Sequence, residues 1–246
     1  MRAALFLFVL VVFTSTNLSG SFADSHSSDE EPVNEEVAAK LAMKLPSNMG
    51  IVPYDEDGTM LYVVTKPSKQ EIGIFLSMHG SAGCLYFSRD GVTDEEDLIS
   101  NGGPSKTHPS IMIRSANNWA DYGLKVIQPN CPDIDFESSD STYIDSIDEI
   151  LVRENPNNLP VFVSGLSRGS IRAVNIASRL GEKIRGTIIM SGSTDATYDG
   201  TMFDPPIEEA NSSFLLMIHT DDQCSSSMSF DDLKSFIGDL TGVKDK

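Results

Sequence analysis

Apolar residues along this chain fall into two alternating rhythms. Short runs dense in β-branched, aromatic and aliphatic residues occur at Met60–Thr65, Ile72–Met78, Leu124–Gln128, Leu159–Val163, Ile184–Met190 and Phe214–Ile218. Their length and composition predict buried strands. Between them the apolar positions fall three and four apart, which is the helical period. Ser110–Tyr122 and Phe230–Leu240 follow it, as does Ile171–Leu180, closed by Gly181. Asp140–Glu154 shows it most clearly, with Tyr143, Ile144, Ile147, Ile150 and Leu151 on one stripe. Turn-forming stretches at Lys66-Pro67-Ser68 and Asn155-Pro156-Asn157-Asn158 punctuate the series. Strands that alternate with helices, and that are apolar on both faces, imply a parallel sheet covered on both sides. The expected fold class is therefore α/β, a three-layer α/β/α sandwich with a mostly parallel sheet.

In such sheets ligands bind beyond the carboxyl ends of the strands, which directs attention to three loops. Gly165-Leu166-Ser167-Arg168-Gly169 lies between a predicted strand and a predicted helix. This is the G-x-S-x-G nucleophile elbow, which projects a serine from a sharp turn at the top of the sheet. A Cβ at either glycine would collide with the neighbouring strand or helix, so both have a steric role. Ser167 is the candidate nucleophile. A second loop, His79-Gly80-Ser81-Ala82-Gly83, ends the Ile72–Met78 strand in small residues. Acyl transfer needs two backbone N–H groups aimed at the developing oxyanion. Ser81, with Ala82 as the near alternative, and Arg168 are the candidate donors. His79 precedes the nucleophile on another strand and reads as structural rather than as the base. The third loop, His219-Thr220-Asp221-Asp222, follows the Phe214–Ile218 strand and offers an acid that could orient a histidine. Asp222 is the first candidate for that acid and Asp221 the second. Arg168 and Trp119 are each open between a pocket-lining and a surface role.

With these three motifs in this order, the chain resembles the α/β-hydrolase superfamily, in its compact, lidless form similar to dienelactone hydrolases and small serine esterases. The resemblance covers about Gly50 to Lys246. It implies cofactor-free hydrolysis of an ester or related acyl bond in a small-molecule substrate. Ser167 would be the nucleophile, Asp222 the triad acid, and Ser81 and Arg168 the oxyanion donors. The family's order is serine, acid, histidine, yet His26, His79, His108 and His219 all precede Asp222. The expectation is a domain truncated before its last strand, with the catalytic histidine beyond Lys246. A serine hydroxyl without an adjacent base is a poor nucleophile. The alternative is accordingly a non-catalytic binding protein of the same fold.

The N-terminus adds a compartment. Arg2 precedes the apolar run Ala3–Phe13, and Ser21-Phe22-Ala23 supplies a small-x-small cleavage pattern. Residues 1–23 thus read as a signal peptide, which predicts a secreted or periplasmic protein. That run is too short to span a bilayer as a helix, and no later segment is apolar enough. Residues 24–49 read as an acidic linker with a short helix over Val33–Leu45, and 50–246 as the catalytic-type domain. With 18 basic and 36 acidic residues the formal charge is −18. Loss of Arg2 with the signal makes it 17 − 36 = −19. Nucleic-acid binding, which needs basic patches, is not expected. Cys84, Cys131 and Cys224 are an odd number for an oxidising compartment. Their spacing matches no metal site.

Overall fold

The computed structural model describes residues 49–54, 58–80, 111–129, 141–194, 201–207, 210–218 and 227–242. Among them are seven strands: β1 (Met49–Tyr54), β2 (Gly58–Thr65), β3 (Gly73–Met78), β4 (Leu124–Pro129), β5 (Val161–Leu166), β6 (Ile184–Met190) and β7 (Ser213–Met217). They form one sheet in the order β1-β2-β4-β3-β5-β6-β7. β3 to β7 run parallel, whereas β1 and β2 are antiparallel additions at one side. The helices are α1 (Ile111–Arg114), α2 (Ala116–Asp121), α3 (Ser141–Glu154), α4 (Gly169–Leu180) and α5 (Phe230–Gly242). None of them is long and apolar enough to cross a membrane.

The elements follow the sequence pattern with three differences. β1 has no counterpart in the expectation, because Gly50 and Pro53 dilute its strand signal. Both are tolerated on a sheet edge, where one side of the strand needs no partner. The helix expected over Ser110–Tyr122 is divided at Ser115. Its N–H groups continue across the division, from Ser115 to the Ile111 carbonyl (3.0 Å) and from Trp119 to the Ser115 carbonyl (3.2 Å). Finally, β2 does not pair with β3, although only a short turn separates them. It runs antiparallel to β4, with Tyr62 opposite Pro129 and Thr65 opposite Val126.

The two faces of the sheet bury different clusters. On one, Ile74, Leu76 and Met78 of β3 and Val161 and Val163 of β5 meet α3, α4 and α5. On the other, Phe75, Val126 and Phe162 meet Met112 and Ala116 of the divided helix. Trp119 belongs to this second face, where it stacks on Phe75 at 4.8 Å between ring centroids. These are the three layers the pattern predicts. At the amino end of β4, the buried Lys125 ammonium donates to the Glu154 carbonyl (2.7 Å) and faces the carboxylates of Glu71 (3.4 Å) and Glu154 (3.7 Å). The Tyr62 hydroxyl donates to Glu154 Oε1 (3.1 Å). Burial, then the Glu154 charge, pushes the Tyr62 phenol up to about 12. This polar knot fastens the end of α3 to the sheet.

Candidate active site

β5 lies in the middle of the five parallel strands, flanked by β3 and β6 in parallel register. Met78 stands opposite Gly165, and Leu166 opposite Met190. The strand ends at Leu166, and α4 starts at Gly169. Ser167 makes the reversal alone, with φ at +53°. An L-residue in the left-handed region costs roughly 1–2 kcal/mol, and the surrounding contacts must offset that strain. The Ser167 N–H donates to the Met190 carbonyl (3.1 Å), and its carbonyl accepts the Ser170 N–H (2.8 Å). The Arg168 carbonyl accepts the Ile171 N–H (3.1 Å). The tightness of the corner excludes side chains at the flanking glycines. A Cβ on Gly165 would lie 2.2 Å from the Gly169 oxygen, and one on Gly169 would lie 2.4 Å from the Met78 oxygen.

β3 delivers its carboxyl end to the same place. A Cβ on Gly80 would sit 3.2 Å from the Ser167 Cβ and 3.8 Å from its Oγ. Gly80 therefore lies beside the serine. Ser81 itself, together with Asp221, Asp222 and His219, lies outside the described residues, as do Cys84, Cys131 and Cys224. Arg168 is the N-cap of α4, with helical φ and ψ of −54° and −30°. Its backbone N–H thus opens the helix, where amide dipoles favour negative charge.

His79 is 1% exposed, and its Nε2–H donates to the Pro129 carbonyl at 3.2 Å. A carbonyl can only accept, so this contact fixes the proton on Nε2. The residue fastens the end of β3 to the end of β4, consistent with its structural reading. Beneath the elbow, every α4 residue from Gly169 to Ser178 is buried. Tyr143 of α3 is buried there as well, and its hydroxyl donates to Met78 Sδ at 3.4 Å. Burial pushes this phenol up to about 12, against an opposing pull from the Arg172 charge. The floor of the site is thus closed off by buried residues.

Two polar residues here escape sequence reasoning. Ser170 is fully buried; its hydroxyl donates to the Ser167 carbonyl (2.5 Å) and accepts the Ser193 N–H (2.9 Å). Ser191, at the exit of β6, is a second non-glycine residue in the left-handed region (φ +43°), and its N–H donates to the Met217 carbonyl (2.9 Å). Nothing in the sequence distinguishes either serine from an ordinary helix or loop serine.

No protein-family model matches the chain. No curated protein sequence matches it either. Solved structures do. An α/β serine hydrolase homologue from Coxiella burnetii superposes with a TM-score of 0.50 at 14% identity, over 79% of this chain and 82% of that one. A protein of unknown function from Agrobacterium tumefaciens gives 0.50 at 13% identity, over 80% of each chain. The acylaminoacyl peptidase of Pyrococcus horikoshii gives 0.53 at 12% identity, over 84% of this chain but 37% of the peptidase. The chain has the α/β-hydrolase fold.

Proposed function

We propose that the protein is an exported serine hydrolase that cleaves an ester or related acyl bond. The observation that carries this reading is Ser167, a non-glycine residue at φ +53° between the central strand β5 and the buried helix α4. Strain of this kind is retained where it serves a site, and it turns the hydroxyl out of the sheet. In the reaction, Ser167 Oγ attacks the substrate carbonyl while a histidine takes its proton. The oxyanion that forms is held by the N–H groups of Arg168 and Ser81. The histidine then passes the proton to the leaving group, and an acyl-serine remains. Water, deprotonated by the same histidine, releases the acid and restores the serine. Asp222, or Asp221 beside it, orients the histidine and balances its charge. His79 is held by Pro129, so the reading calls for a histidine other than this one.

The test is covalent. A fluorophosphonate probe forms an Oγ–P bond with an activated serine as fluoride leaves. Applied to the protein as its host makes it, the probe is expected to modify Ser167, located by peptide mass spectrometry. Ser167→Ala is expected to abolish both the adduct and hydrolysis of a short-chain nitrophenyl ester. Undiminished turnover by the alanine variant would sink the reading. Absence of any adduct would favour the binding-protein alternative, to which the burial of His79 against Pro129 lends support.

A further inference from the structure

The first turn of α4 carries a hydroxyl for which the hydrolytic steps have no use. Ser170 is 0% exposed, and both of its Oγ contacts are directional. The Ser193 amide can only donate, at 2.9 Å, so the Ser170 oxygen is its acceptor. The hydroxyl's one proton then belongs to the Ser167 carbonyl at 2.5 Å. That carbonyl already accepts the backbone N–H of Ser170 at 2.8 Å. One residue therefore grips the strained peptide of the candidate nucleophile twice.

The grip continues outward through Ser193. Its carbonyl accepts the Met202 N–H at 3.0 Å, and it forms an antiparallel bridge with Ser227. Next to it, the Gly192 carbonyl accepts the Met228 N–H at 2.7 Å. Ser170 thus joins the elbow to the exit of β6, which Ser227 and Met228 also meet.

We propose that Ser170 is a positioning residue, whose hydroxyl locks the Ser167 peptide against the exit of β6. This role rests on the serine-hydrolase reading, but the hydrogen-bond clamp can be tested apart from it. Ser170→Ala removes the hydroxyl and little volume. Loss of a buried hydrogen bond with one partner left unsatisfied corresponds to about a tenfold effect on the equilibrium it controls. Ser193 amide exchange, followed by NMR, is expected to speed up by about that factor. Ser167 labelling by the fluorophosphonate is expected to slow about tenfold, with kcat for ester hydrolysis falling and KM unchanged. Ser170→Thr, whose hydroxyl also reaches the i−3 carbonyl from a helix, is expected to restore both readouts. Unchanged Ser193 exchange in the alanine variant would overturn the clamp. So would a threonine variant as impaired as the alanine one, which would assign the effect to packing. Failure of the hydrolase reading has a different signature, an unsubstituted protein that takes no label, and the exchange measurement decides on the clamp in that case too.

Discussion

Two glycines at the elbow and a third at the far end of α4 separate steric from conformational demands. A Cβ on Gly165 would meet the backbone of the first α4 residue at 2.2 Å, and one on Gly169 the backbone of β3 at 2.4 Å. Gly181 has φ +47° with nothing within 4 Å of an added Cβ, so alanine there meets only torsional strain. Gly165→Ala and Gly169→Ala are therefore expected to cost about 3 kcal/mol or more, at the upper end of overpacking changes. Gly181→Ala, strained only by its φ and ψ of +47° and −114°, should cost less, about 1–3 kcal/mol. Urea unfolding midpoints of the three variants check the ranking; equal losses would mean that the elbow relaxes more freely than its contacts imply. The two elbow glycines, and the serine between them, were legible in the sequence because this corner admits few residue types. Ser170 was not legible. A helical serine has the same signature whether it faces solvent or a neighbouring amide 23 positions away.

Among the elements, α5 shows how a helix start is specified. The Ser229 Oγ accepts the Asp232 N–H (3.2 Å), and the Asp232 carboxylate accepts the Ser229 N–H (2.9 Å) and hydroxyl (2.6 Å). This is a reciprocal capping box with aspartate in the third position. The hydroxyl bond, then the backbone bond, from Ser229 lowers the Asp232 pKa below its ordinary 3.8. A carboxylate with a depressed folded pKa adds stability above its unfolded pKa and loses it as pH falls through the folded value. The first turn of α5 should accordingly loosen as pH drops below about 4, as amide exchange at residues 231–233 would register. Ser229→Ala should cost about 1 kcal/mol and bring Asp232 back toward its ordinary titration, readable by carboxyl NMR. Element existence was largely legible, since a run such as Ile184–Met190 coincides with β6 at both ends. Pairing was not. The pattern cannot tell that the turn after β2 carries the chain past β4 instead of folding it back on β3, because both placements bury the same residues. β1 was hidden for a local reason, as Gly50 and Pro53 weaken a strand only where both edges need partners. The candidate oxyanion and acid loops differ again: they carry small and polar residues with no period, so their assignment rests on where the flanking strands end.

For the whole molecule, the buried phenols set an alkaline limit. Tyr143 and Tyr62 are pushed up to about 12 when folded, against about 10 in an unfolded chain. Between those values the unfolded state has released protons that the folded state still holds, so stability falls as pH rises from 10 towards 12. The thermal midpoint should drop over that interval, and Tyr143→Phe should flatten the dependence while losing the bond to Met78 Sδ. A midpoint insensitive to pH over this range in the parent protein would show that neither phenol is held as described. The sheet order has a further consequence, for the timing of reactivity. The flanks of β5 are supplied by β3, from early in the chain, and by β6, from later. Loop closure over such separations makes assembly of the centre a late and cooperative event. Until both neighbours have docked, Ser167 has no Met190 carbonyl to hold its amide and no reason to adopt φ +53°. A nascent or unfolded chain then carries an ordinary serine, and its strained, left-handed geometry comes into being only as the sheet closes around it.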